Sequence, residues 1–164
     1  LDLGTGSGAI ALAIAHETPN AQITATDQSI EALEIAKTNA KLLNIAKRVQ
    51  FFQGSWYEAL DGDSPFDIIL SNPPYIAAQD SHLSQGDLRF EPASALTDHG
   101  SGLTCLEQII SGSGKYLNPN GLLAVEHGFD QSNAVIKMMK SAGFSEIQAH
   151  QDLSGHQRVV SARK

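Results

Sequence analysis

Sulfur, aromatic side chains and long apolar runs are all scarce in this chain of 164 residues. The single cysteine, Cys105, excludes an internal disulfide framework and indicates a reducing compartment. No apolar run approaches the roughly 18 residues that a membrane-spanning helix requires. We therefore predict one cytoplasmic domain, since a chain of this length can bury a complete hydrophobic core.

Basic side chains are also few: 11 Lys and Arg face 18 Asp and Glu, and the formal charge is −7. The basic residues are scattered, whereas a protein that grips a nucleic-acid backbone needs them concentrated on one surface. The composition therefore argues against direct nucleic-acid binding. The six histidines and one cysteine lack the spacing of metal ligands, so we predict no metal site.

Strand-like and helix-like segments alternate along the chain. We predict strands at 1–3, 22–26, 49–53, 66–71, 122–126, 144–151 and 158–162, and helices at 9–16, 30–43, 103–117 and 131–142. Residues 118–121 are predicted to form a turn, residues 76–97 a long loop with short helical turns, and Gly143 a helix C-cap. The alternation is typical of a doubly wound, mostly parallel α/β sheet with helices on both faces.

A glycine-rich turn joins the first strand to the first helix. Gly4, Gly6 and Gly8 alternate with Thr5 and Ser7, and glycine permits left-handed backbone angles and close approach of a ligand to the main chain. The pattern is near the dinucleotide-binding fingerprint, whose last position also accepts alanine. Any tight strand-to-helix connection would have a similar composition, so this turn alone does not identify a ligand.

Asp27 strengthens the prediction of a nucleotide-like cofactor. It ends the second strand, where a carboxylate in this topology can accept hydrogen bonds from both ribose hydroxyls. The alternative role, N-cap of the next helix, suits Ser29 as well or better. Trp56 follows the third strand and offers an apolar slot for adenine, although packing in the core explains it nearly as well. Both a nicotinamide dinucleotide and S-adenosylmethionine are candidates at this point.

Asn72-Pro73-Pro74-Tyr75, at the end of the fourth strand, is the most informative segment. The side-chain carbonyl of Asn72 and the backbone carbonyl of Pro73 form a pair of acceptors that suits a planar NH2 group. The prolines fix the path of the chain and remove two backbone donors, and Tyr75 adds an aromatic wall. A strand-end turn also favours Asn before Pro, but two prolines after a core strand are costly without a functional reason.

The glycine turn, Asp27 and Asn72-Pro73-Pro74-Tyr75 together resemble class I S-adenosylmethionine-dependent methyltransferases that act on planar nitrogen atoms. Other segments narrow this to the bacterial protein-(glutamine-N5) methyltransferases of peptide chain release factors. Those segments are Arg89-Phe90-Glu91-Pro92, Ala95-Leu96, Gly100-Ser101-Gly102-Leu103, Glu126-His127-Gly128 and the ending 152–160. The resemblance covers the whole chain. It implies a seven-stranded Rossmann-like sheet with an antiparallel last strand, S-adenosylmethionine as cofactor, and class-1 release factors methylated on the glutamine of Gly-Gly-Gln.

The resemblance also implies roles for individual residues. The expected cofactor-binding residues are Gly4, Thr5, Gly6, Ser7, Gly8, Asp27, Trp56 and Asn72. The expected substrate-binding residues are Asn72, Pro73, Pro74 and Tyr75, of which Asn72, Pro73 and Tyr75 are expected to be catalytic. The family carries an N-terminal helical domain that helps to bind the release factor. We expect residues 1–164 to be the catalytic domain without that domain and without the start of the first strand.

Two other functions remain open. Methyltransferases that act on exocyclic amines of DNA or RNA bases share Asn-Pro-Pro-Tyr, because those amines are also planar and are flipped into a pocket. The charge of −7 opposes this hypothesis.

A non-catalytic cofactor-binding subunit is the third hypothesis. It predicts erosion of the motifs, but Asp2, Gly4, Gly6, Asp27 and Asn72 are all intact. Arg89 and Glu91 receive no role from the sequence.

Overall fold

The computed structural model describes residues 1–60, 65–80 and 92–164. Its strands are β1 (Asp2–Leu3), β2 (Ile23–Asp27), β3 (Val49–Gln53), β4 (Phe66–Ser71), β5 (Leu117–Glu126), β6 (Ser145–Gln151) and β7 (Gln157–Arg163). Its α-helices are α1 (Ala9–Glu17), α2 (Ile30–Leu42), α3 (Ala93–Leu96), α4 (Thr104–Tyr116) and α5 (Ser132–Ser141). Short 3-10 helices lie at Ala46–Arg48 and Trp56–Ala59.

The strands form one seven-stranded sheet in the order β3-β2-β1-β4-β5-β7-β6. Neighbouring strands from β3 to β5 are parallel, whereas β7 runs antiparallel to both β5 and β6. This arrangement confirms the predicted fold class, including the antiparallel last strand. The chain builds outward from β1 through β2 and β3, then crosses to the other side of β1 to form β4.

Helices cover both faces of the sheet because side chains alternate between faces along each strand. Leu3, Ile69 and Leu123 face α4 and α5 and belong to the larger buried apolar cluster. Ala25 faces the opposite side, in a second cluster with residues of α1 and α2. Among the described residues, no helix is long and apolar enough to cross a membrane.

Local signals in the sequence explain where the helices begin and end. The Ser29 hydroxyl accepts a hydrogen bond from the N–H of Ala32 (3.1 Å) and caps α2, as predicted. Gly143 follows α5 with φ +86°, and its N–H donates to the carbonyl of Lys140 (3.1 Å). This left-handed position ends the helix and confirms the predicted cap.

Residues 118–121 do not form the separate turn that was predicted. The strand begins at Leu117, which is buried and pairs with Phe66, and the next pair in register joins Ile68 to Leu122. The extra residues bulge out of the ladder, with Asn120 at φ +64°. Burial of Leu117 therefore places these turn-forming residues inside an irregular start of β5. The predicted loop 76–97 contains α3 and a bridge between Ile76 and Thr97, and its residues 81–91 lie outside the described part.

Candidate active site

The carboxyl ends of four adjacent strands carry the predicted site residues. Leu3, the last residue of β1, pairs with Thr26 on one side and Ser71 on the other. The glycine turn therefore leaves the sheet beside Asp27 and beside Asn72. The chain reverses its direction of winding between β1 and β4, and ligands of open α/β sheets bind at such a switch point. The topology thus brings together the glycine turn, Asp27 and Asn72, which are far apart in the sequence.

The glycine turn has the backbone geometry that its composition predicts. Gly4, Gly6 and Gly8 have φ values of +69°, +58° and +86°, in the left-handed region that favours glycine. The N–H of Thr5 donates to the carbonyl of Thr26 (2.9 Å), which fixes the turn to β2. A Cβ built on Gly6 would meet no atom within 4 Å. The space next to Gly6 is therefore open to a ligand.

Asp2 anchors the glycine turn from below, a role that the sequence did not predict. Its Oδ2 accepts hydrogen bonds from the Thr5 hydroxyl (2.6 Å) and from the N–H of Ala11 (3.1 Å). Its Oδ1 is buried and has no hydrogen-bond partner in the described part of the chain. Burial raises the pKa of Asp2, although these hydrogen bonds oppose the shift. An acidic residue in an otherwise apolar strand, just before the turn, was the available signal.

Asp27 bridges the glycine turn and the start of α2. Its Oδ2 accepts the N–H of Gly6 (2.8 Å), and its Oδ1 accepts the N–H of Ser29 (2.9 Å). Each carboxylate oxygen can accept a further hydrogen bond, so the geometry is compatible with a pair of ribose hydroxyls. Ser29, not Asp27, is the N-cap residue of α2.

Trp56 lies against the glycine turn and also against the core. A Cβ on Gly4 would lie 3.1 Å from the indole ring, so the ring covers this residue. The indole N–H donates to Gln108 Oε1 (3.0 Å), and the Thr26 hydroxyl donates to the Trp56 carbonyl (3.2 Å). The ring also packs against the larger apolar cluster. The structure thus places Trp56 next to the turn, and its contact with adenine stays a prediction.

The Asn72–Tyr75 segment contains two polar side chains that differ in their hydrogen bonding. Asn72 is exposed, and its amide has no hydrogen-bond partner among the described residues, whereas Pro73 is buried. The Tyr75 hydroxyl donates to Glu126 Oε1 (2.9 Å), and its carbonyl accepts from Gln131 Nε2 (2.9 Å). The segment therefore presents the Asn72 amide on a fixed support.

Glu126 and Gln131, which hold Tyr75, were not predicted as part of the site. Glu126 ends β5 and Gln131 is the N-cap residue of α5. Both are far from Tyr75 in the sequence, and only the folded chain brings them into contact with it. Gly102 was likewise missed. It has φ +79°, and a Cβ there would clash with the Tyr75 carbonyl.

Arg89 and Glu91 lie outside the described residues. In the described part of the chain, no group of three or more His, Cys, Asp or Glu side chains could hold a metal ion.

Comparison with known proteins identifies the family. The model of the methyltransferase small domain family matches residues 1–151. The chain belongs to this family. It is 52% identical over 162 residues to the release factor glutamine methyltransferase of Xylella fastidiosa (strain Temecula1), with 99% of this chain and 58% of that protein covered. The corresponding protein of Bordetella pertussis is 49% identical over 159 residues, with 97% and 58% covered.

The chain therefore spans less than two thirds of the length of these curated relatives. Its fold is similar to the crystal structure of a methyltransferase from Pyrococcus furiosus, with a TM-score of 0.74 over 99% of this chain and 73% of that one at 20% identity. Family and fold imply S-adenosylmethionine as the methyl donor. The site fits such a molecule: the space at Gly6 is open, and the Asp27 carboxylate stands beside it.

Proposed function

We propose that this domain transfers a methyl group from S-adenosylmethionine to the side-chain amide nitrogen of the glutamine in the Gly-Gly-Gln motif of class-1 release factors. One observation carries the proposal: the Asn72 amide, which has no hydrogen-bond partner among the described residues, follows β4, the strand that pairs with β1 beside the glycine turn. The printed names of the curated relatives supply the substrate class.

The residues around the switch point would hold the cofactor. The main chain of the turn formed by Gly4, Thr5, Gly6, Ser7 and Gly8 would contact its amino-acid end, and Asp27 would accept from the ribose hydroxyls. Trp56 would border the adenine, and Asn72 would face the reacting end. When bound, S-adenosylmethionine supplies an electrophilic methyl group on a positively charged sulfur. The chain's contribution is to fix that group in line with the acceptor nitrogen.

The acceptor nitrogen would be held by two carbonyl oxygens. The side-chain carbonyl of Asn72 and the backbone carbonyl of Pro73 would accept the two hydrogens of the glutamine amide, while Pro74 keeps the segment rigid and Tyr75 shields it. Placement of this kind contributes up to roughly 7–11 kcal/mol in favourable cases, because a bimolecular step becomes unimolecular. It is needed because the lone pair of an amide nitrogen is delocalised into its carbonyl.

The same two oxygens would also stabilise the transition state. Positive charge grows on the nitrogen as the new bond forms, and carbonyl dipoles that already point at it lower the energy of that charge without reorganising. The growing charge makes the amide N–H acidic, so the proton can leave late, to solvent. No side chain needs to act as a general base in this scheme.

The direct test uses the full-length protein that the gene encodes. It is incubated with a purified class-1 release factor and labelled S-adenosylmethionine, and the label is located by peptide mass spectrometry. We expect the label on the glutamine of Gly-Gly-Gln and none on a release factor in which that glutamine is replaced by alanine. Label on nucleic acid in a parallel reaction, with none on the protein, would refute the proposal in favour of base methylation.

A further inference from the structure

A cavity of about 480 Å³ is lined by Tyr75 and by residues of β5, β6 and β7, strands that lie on the other side of β4 from β1. Tyr75 and Glu126 form one part of its wall, and residues 150–152 and 158–159 of the β6–β7 hairpin form the other. Tyr75 belongs both to this cavity and to the segment that would hold the target amide. A ligand in the cavity would therefore contact one end of that segment.

Arg158 lines this cavity and is held on one side by neighbouring side chains. Its Nε donates to Asp152 Oδ2 (3.4 Å), and its guanidinium carbon lies 6.0 Å from the centre of the Phe129 ring. Neither Nη atom has a hydrogen-bond partner among the described residues, so their N–H groups are available to a ligand. A guanidinium held at one edge loses less conformational freedom when it binds.

Asp152 is itself held by the hairpin. Its Oδ1 accepts the N–H groups of His156 (3.0 Å) and Ser154 (2.8 Å). These bonds, that of His156 first, hold the pKa of Asp152 below its usual range. The carboxylate is therefore ionised at neutral pH and keeps Arg158 in place.

Glu126 offers the opposite chemistry across the cavity. Its Oε1 accepts the Tyr75 hydroxyl, and its Oε2 has no hydrogen-bond partner in the described part of the chain. The cavity thus offers donors from Arg158 and, as far as the described residues show, an acceptor oxygen of Glu126 that makes no other hydrogen bond. A peptide main chain matches both groups, because its carbonyl oxygen can accept from Arg158 and its N–H can donate to Glu126. A phosphate chain would be repelled by the carboxylates of Glu126 and Asp152, which both line the cavity.

We infer that this cavity binds the main chain of the acceptor polypeptide next to the target glutamine, with Arg158 donating to a peptide carbonyl and Glu126 accepting a peptide N–H. The inference rests on the proposed function and names a binding site within it. Tyr75 separates the two subsites: one holds the amide that is methylated, and the other holds the chain that delivers it.

The first test compares two arginines of the same strand. Arg158→Met keeps the apolar stem and removes the donors. Arg163→Met is the matched control, because Arg163 also lies on β7 with its Nε 3.4 Å from a carboxylate, that of Glu146. Both variants are made in the full-length protein, and thermal unfolding is used to check that they fold. Initial rates are measured with an acceptor peptide that contains Gly-Gly-Gln.

Arg158→Met removes the proposed hydrogen bond from a charged guanidinium to the peptide carbonyl. We therefore expect its KM for the peptide to be at least roughly ten-fold higher than that of the unaltered enzyme. The KM for S-adenosylmethionine should not change, and Arg163→Met should behave as the unaltered enzyme. Equal peptide KM values in the two variants would overturn the inference. Absence of glutamine methylation by the unaltered enzyme would instead overturn the proposed function, so the two failures are distinguishable.

The second test asks whether the main chain is what Arg158 recognises. Each amide that flanks the glutamine is replaced in turn by an ester, which has a weaker carbonyl acceptor and no N–H. Loss of the N–H affects the contact with Glu126, whereas the weaker carbonyl affects the contact with Arg158. We expect one replacement to raise the peptide KM of the unaltered enzyme several-fold and to have no further effect in Arg158→Met. The inference is wrong if no ester has an effect, or if every ester that raises the peptide KM of the unaltered enzyme raises it by the same factor in Arg158→Met.

Discussion

Replacing Asn72 by alanine should separate catalysis from stability. Asn72 is exposed and has no hydrogen-bond partner among the described residues, so its loss should change the free energy of unfolding by less than about 0.5 kcal/mol. Removing one preorganised dipole from a transition state typically costs roughly 2.7–4 kcal/mol. We therefore expect kcat to fall roughly 100-fold to 1,000-fold. The result should be a well-folded protein with very little activity.

The assay is methyl transfer at saturating S-adenosylmethionine, combined with urea unfolding of the same samples. Asn133→Ala is a suitable control, because Asn133 is also exposed and its side chain has no hydrogen-bond partner in the described part of the chain. Asn72→Asp should retain more activity than Asn72→Ala, since a carboxylate oxygen still accepts an amide hydrogen. Near-normal turnover of Asn72→Ala would refute the two-acceptor mechanism. A large loss of stability would show that the residue has a structural role.

Three further predictions concern the fold and the cofactor site. Gly112→Ala should destabilise the domain by about 1–3 kcal/mol in urea unfolding, because its Cβ would lie 2.7 Å from the Tyr57 ring. Gly114→Ala, in the same helix with no atom within 4 Å, should be neutral or stabilise it by up to about 1 kcal/mol. Asp27→Asn offers one carbonyl oxygen to two N–H donors, so calorimetry should find S-adenosylmethionine binding at least roughly ten-fold weaker; unchanged affinity would contradict the ribose role. Burial opposes ionisation of Asp98, but the N–H groups of residues 100, 102 and 104 outweigh it and hold its pKa below the usual range. Its contribution to stability should be complete above about pH 4 and be lost as the pH falls through the lowered pKa, so Asp98→Asn and the unaltered protein should converge in acid.

The positions of the main site residues could be predicted because each follows a strand directly. In a parallel sheet, the carboxyl ends of adjacent strands meet at one edge, so the glycine turn, Asp27 and Asn72 needed only the strand order to be brought together. Local chemistry also predicted the Ser29 and Gly143 caps, since the residues that make a cap are neighbours in the sequence.

The supports of the site could not be predicted in the same way. Glu126 reaches Tyr75 from 51 residues away and Gln131 from 56, and neither spacing leaves a periodic signal. Residues 118–121 have an ideal composition for a turn, yet burial of Leu117 keeps them in β5. Tertiary packing overrides local preference in these cases. The sequence therefore allows the reactive groups of the site to be predicted, but not the residues that orient them.

Asn72 and Tyr75 differ in how the surrounding fold holds them. The exposed Asn72 amide has no hydrogen-bond partner in residues 1–60, 65–80 and 92–164, whereas Glu126 and Gln131 hold the neighbouring Tyr75 from two different elements. If Glu126 oriented Tyr75 only, Glu126→Gln would be nearly silent, because a glutamine oxygen also accepts the tyrosine hydroxyl. If its second oxygen also binds the acceptor chain, the loss of charge should raise the KM for the peptide and leave kcat almost unchanged. The ratio of these two effects, measured on one variant, separates positioning of the aromatic wall from recognition of the substrate.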